Sequence, residues 1–121
     1  MRTALALFLL LHGLAHLPGF LVPWRLLESD DLPYDTKLLG GRWDAGDAGI
    51  RVIGVLWLLQ ALTFVAVAWF VFRGEPDWPL FVGVASLESL VLSVLGWPAS
   101  RIGVWINAAL LAALAAGAAL G

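Results

Sequence analysis

Four runs of apolar residues, each close to the length of a membrane span, constrain this chain more than any other feature. A helix rises about 1.5 Å per residue, so about 20 apolar residues cross a hydrocarbon core of about 30 Å. Windows of that size cover residues 3–22, 52–72, 78–97 and 102–120. The first is interrupted by His12 and His16 and closes at Pro23, Trp24 and Arg25. The second lies between Arg51 and Arg73. The third opens on Trp78-Pro79, where proline suits the first helical turn, and closes on Gly96-Trp97-Pro98. The chain is therefore expected to be all-α, an integral membrane four-helix bundle in one domain over residues 1–121, with residues 25–51 as its only sizeable polar loop.

Composition closes off the soluble alternative. Hydrophobic residues are 61% and charged residues 13% of the chain, against roughly 45–50% and about 25% in soluble domains. A soluble bundle needs a polar stripe on each helix, and residues 56–72 offer only Gln60 and Thr63. Trp24, Trp69, Trp78, Trp97 and Trp105 fall near span ends, where an indole sits at headgroup level, so the expected partner is the lipid bilayer. A net charge of -2 without a basic patch leaves no footprint for nucleic acid. The absence of cysteine removes disulfides and thiolate metal sites.

Arg2, the apolar run 4–11 and the small residues Gly13 and Ala15 look like a signal peptide. Apolar character continues through residues 17–24, however, so the segment is expected to remain as a span. Arg25, Lys37, Arg42, Arg51 and Arg101 lie on one side of the spans and Arg2 and Arg73 on the other. By the positive-inside rule both termini then lie outside the cytoplasm. Within the loop, Leu26, Leu27, Leu32, Tyr34, Leu38, Leu39 and Trp43 alternate with charges and predict a piece folded back on the interface. Asp44-Ala45-Gly46-Asp47 lacks the further oxygen ligands of a calcium loop and reads as a cap where the second span starts.

The polar residues inside the spans carry the functional information. They are His12, His16, Gln60, Glu88 and Asn107. By insertion scales a central charged group costs about 2.5–3.5 kcal/mol in hydrocarbon, so each should face protein or a water-filled cavity. Measured from one face, the helical rise puts His12 at about 14 Å, Glu88 at about 15 Å, Gln60 at about 18 Å, His16 at about 20 Å and Asn107 at about 22 Å. One layer near mid-membrane holds them all, which predicts a single buried site built by all four spans.

His12 and His16 are one helical turn apart and share a face, the spacing at which two imidazoles hold one metal ion. With Glu88 as a carboxylate ligand, they form a candidate site for a divalent metal. Gln60, Glu88 and Asn107 are candidate ligand-binding groups. A bis-histidine haem within one chain does not fit, because axial ligands approach from opposite sides of the ring. Pro18 removes a backbone donor and clashes with the Leu14 carbonyl, so a kink is expected near residues 14–16. The same polar groups also suit plain hydrogen bonding between helices, at about 0.6–2 kcal/mol each. Gly83, Ser86, Ser89, Ser93 and Gly96 on span three, and Gly103, the alanines of 108–119 and Gly117 on span four, read as close-packing faces, within the chain or between copies in a homo-oligomer.

The stretch Leu9-Leu10-Leu11-His12-Gly13-Leu14-Ala15-His16-Leu17-Pro18-Gly19-Phe20 resembles an uncharacterised family of small bacterial four-span membrane proteins that open with a His-Gly-x-x-His helix. The resemblance continues at Gly54-Val55-Leu56-Trp57-Leu58-Leu59 and, more weakly, through residues 97–107. It implies a multi-pass protein of the bacterial cytoplasmic membrane and no activity. The His-Gly pair is also similar to the first span of DoxX-like four-helix membrane proteins, which implies architecture alone. Small multidrug transporters share the length and one embedded glutamate, but here that glutamate is in the third span and two histidines accompany it. The expected function is an intramembrane site for a metal ion or small ligand. The alternatives are proton-coupled transport of a small molecule through Glu88 and an accessory subunit with no site of its own.

Overall fold

The computed structural model describes residues 1–120. Four segments of it are long and apolar enough to cross a membrane: Arg2–Leu21, Gly46–Arg73, Trp78–Leu95 and Arg101–Ala119. The first is broken into α1 (Arg2–Leu14) and α2 (Pro18–Leu21). α3 (Gly46–Arg73), α4 (Trp78–Leu95) and α5 (Arg101–Leu120) follow. Most side chains left exposed on these segments are ones a lipid solvent accepts, among them Leu7, Leu11, Leu62, Leu80, Leu87, Ile102 and Trp105.

The break in the first span falls where Pro18 predicts it. Pro18 has no N–H for the Leu14 carbonyl, and the chain tightens instead: His16 N–H donates to Gly13 O at 3.0 Å and Leu17 N–H to Leu14 O at 3.1 Å. The second span starts earlier than residue 52, and α3 runs for 28 residues. It ends at Gly74, whose φ of 72° is a left-handed conformation that glycine adopts without a Cβ clash.

The loop before α3 is ordered by a short antiparallel pair, β1 (Lys37–Leu38) with β2 (Trp43–Asp44), joined through a 3-10 turn at Leu39–Gly41. Asp44, expected to cap the helix, bonds the N–H of the first residue of α3 and ties that end to the loop before it. Its carboxylate accepts from the Thr36 hydroxyl at 2.7 Å and from Gly46 N–H at 3.0 Å. Leu38 is buried with Ile50 and Ile53, so the hairpin is seated on the end of the bundle.

α1 packs along α3, α3 along α4 and α4 along α5. Lipid tails are as apolar as leucine, so contact between spans depends on close packing and hydrogen bonds rather than on escape from water. Gly13 lets α1 approach α3: a Cβ there would lie 2.8 Å from Phe64 Cβ and 3.1 Å from the Ala61 carbonyl oxygen. Gly103 does the same for α5, where a Cβ would meet Ser93 Oγ at 2.5 Å. One apolar core gathers Ala6, Leu9, Phe64, Val67, Val71 and Val82 near the end that carries the N-terminus; a second, of Leu38, Ile50 and Ile53, lies under the hairpin. A polar layer separates them.

Candidate functional site

That layer is a closed ring of hydrogen bonds joining three helices. His12 Nε2 lies 3.1 Å from Asn107 Oδ1. Asn107 Nδ2–H donates to Ser89 Oγ at 2.7 Å and to the Gly103 carbonyl at 2.7 Å. Ser89 Oγ is 2.6 Å from His16 Nε2, and His16 Nδ1 is 2.7 Å from the carbonyl oxygen of His12. All four residues are buried, with Ser89 and Asn107 at 0% exposure.

The partners assign every proton. Asn107 turns its nitrogen to the Gly103 carbonyl, so its oxygen faces His12, which must donate from Nε2. His16 Nδ1 faces a carbonyl and therefore donates. Its Nε2 is left with a lone pair that accepts from the Ser89 hydroxyl, and Ser89 accepts in turn from Asn107. The ring runs in one direction, and both imidazoles fit it as neutral tautomers.

The helical break makes the closure possible. In a continuous helix the His12 carbonyl would accept from His16 N–H, but that amide has been diverted to Gly13 O. The freed carbonyl takes the His16 side chain instead. Aromatic rings wall the pair: His12 and His16 meet edge to face with centroids 4.9 Å apart, Phe64 lies 4.7 Å from His12, and Trp57 lies 5.3 Å from His16.

The five polar residues read from the sequence separate into three groups. His12, His16 and Asn107 join the ring. Gln60 is buried but bonds the α4 backbone, Nε2–H donating to Ala85 O at 2.8 Å. Glu88 does not converge with the histidines; it is exposed on the outer face of α4. Consecutive helical residues are about 100° apart, and it is the neighbouring Ser89 that faces inward. The expected triad of His12, His16 and Glu88 is therefore not assembled. Among the described residues no group of three or more His, Cys, Asp or Glu is placed to hold a metal ion.

Ser89 was legible only as one of a run of small residues. The overlooked signal was a hydroxyl at the depth of two imidazoles, on the face where Ser86 and Ser93 repeat at helical spacing.

A cavity of about 710 Å³ reaches from the hairpin end of the bundle down to this ring. Tyr34, Asp35 and Lys37 line it on the loop side, and His12, His16 and Ser93 line it within the bundle. Ile53, Trp57 and Ile106 contribute apolar walls. Ser93 is 1% exposed, yet its Oγ has no hydrogen-bond partner among the described residues. Buried hydroxyls are nearly always paired, so Ser93, like Ser86 on the same face of α4, is an exception, and Ser93 is the one beside the cavity.

Compared with protein-family models, with curated proteins and with solved structures, the chain matches none. Its helices and surface define it as a small protein with four membrane-spanning segments.

Proposed function

We propose that the cavity binds a small uncharged molecule with one hydrogen-bonding end and an apolar body. The observation that carries this reading is the 710 Å³ cavity lined at its inner end by His12, His16 and Ser93, whose buried hydroxyl has no partner among the described residues. The ring leaves one acceptor on the imidazoles, the His12 Nδ1 lone pair, while Ser93 supplies a donor. A ligand hydroxyl can accept from Ser93 and donate to His12. Charged side chains line the cavity only from the loop, where Asp35 and Lys37 stand, so nothing beside the ring compensates an ion. The likeness of the first span to His-Gly-x-x-His membrane proteins belongs to the same proposal: the glycine of that block sets the α1–α3 approach, and its histidines build the ring.

Thermal unfolding of the detergent-solubilised protein tests this with three probes, 1-naphthol, naphthalene and 1-naphthoate. A ligand that binds the folded state alone raises the unfolding temperature in proportion to its occupancy. Naphthol is expected to raise it by a few degrees, saturably, with naphthalene weaker and the anion without effect. Ser93→Ala should reduce the naphthol shift at least threefold. No shift with naphthol, or an equal shift in Ser93→Ala and with naphthalene, would falsify the proposal.

A further inference from the structure

Glu88 has no place in the ring or in the cavity, and its position makes a separate demand. It is exposed on α4, while Ser89 beside it is bonded to the side chains of His16 in the first span and Asn107 in α5. Glu88 therefore stands at the depth of the buried ring, about 15 Å along the helix. Ionisable groups at that depth almost always face protein or a water-filled cavity rather than hydrocarbon. Within the described residues Glu88 makes no hydrogen bond or ion pair. Val84 and Val91, one turn to either side, continue the same outward stripe and are 48% and 55% exposed.

We infer that this stripe of α4 is the contact between two copies of the chain, with Glu88 of one copy meeting Glu88 of the other. Two observations select a second copy as the occupant. Every Lys and Arg of the chain lies in a loop, at a terminus or at a span end, so the spans carry no cation for this carboxyl. Two carboxyls can meet without a cation when they share one proton in an O–H···O bond. Copies inserted with the same topology are also related by a two-fold axis along the membrane normal. Glu88 then faces Glu88 at one depth by symmetry, whereas a different protein would need its own group at that level. Valines one turn on either side are short enough for two helices to approach.

The chain contains no cysteine, so single cysteine variants report contacts between copies without further engineering. Val91→Cys in native membranes, oxidised with copper phenanthroline, is expected to give a covalent homodimer at least tenfold faster than Leu62→Cys on α3 or Ile102→Cys on α5, both more than half exposed. Adding Glu88→Leu should slow that cross-link at least tenfold, while Glu88→Gln, whose amides also pair, should keep most of it. Leucine suits a lipid-facing helix, so an unchanged unfolding temperature of the Glu88→Leu protein separates loss of contact from loss of fold. Equal cross-linking at the two control positions, survival of the Val91 cross-link in Glu88→Leu, or an adduct of any mass other than the homodimer overturns the inference.

Discussion

Three serines line the inner face of α4, and their hydroxyls have different roles. Ser89 closes the ring, accepting from Asn107 and donating to His16, whereas Ser86 and Ser93 are buried without partners. Removing Ser89 leaves an imidazole nitrogen and an amide N–H unsatisfied, a loss of about 1–3 kcal/mol when the stranded groups cannot reach water. Removing an unpaired hydroxyl strands nothing. Ser89→Ala is therefore expected to lower unfolding stability in detergent by about 1–3 kcal/mol, and Ser93→Ala to leave it within about 0.5 kcal/mol. Chemical denaturation of the two variants side by side checks the difference. Equal effects would mean that the ring contributes no more than ordinary packing.

At the scale of elements, the break between α1 and α2 sets a tautomer. Diverting His16 N–H to Gly13 O frees the His12 carbonyl, and His16 Nδ1–H takes it. Pro18→Ala restores a donor for the Leu14 carbonyl and favours one continuous helix, in which His16 N–H reclaims the His12 carbonyl. Imidazole 15N spectra of the native protein should then show His12 protonated on Nε2 and His16 on Nδ1. In Pro18→Ala, His16 should shift to a tautomer mixture. An unchanged His16 spectrum would show that the tautomer does not depend on the break.

The hairpin in front of α3 has an equivalent control outside the membrane. The Thr36 hydroxyl, then Gly46 N–H, hold the Asp44 carboxyl below the usual carboxylate range. A depressed folded-state pKa contributes stability above the unfolded value of about 3.9 and loses it as pH falls through the lowered folded value. The Gly46 amide resonance is expected to titrate with a midpoint below about 3.9, and Asp44→Asn should abolish the transition. A midpoint at or above the free-carboxylate value would remove Asp44 from this role.

For the molecule as a whole, solvent and topology were readable before any packing was known. Apolar runs of span length, polar punctuation between them and tryptophans near their ends specify four crossings, and the structure has four. The proline break was equally local, because a missing N–H acts on its own turn. What each helix turns inward was not local. These spans are apolar on every side, so no polar stripe marks a lipid face. On α4 one residue's rotation, about 100°, decides whether Glu88 or Ser89 meets the histidines.

His12, His16 and Asn107 could be assigned to one layer from the sequence because depth follows from counting residues along a helix. The hydroxyl that completes the layer could not, because azimuth depends on how neighbouring helices close. By itself the sequence determined the solvent, the number of crossings, the break at Pro18 and the depth of every polar group, all consequences of short-range geometry and hydropathy. Only the tertiary structure decided that Ser89 faces in and Glu88 faces out, because the close approaches at Gly13 and Gly103 fix the rotation of α1 against α3 and of α4 against α5.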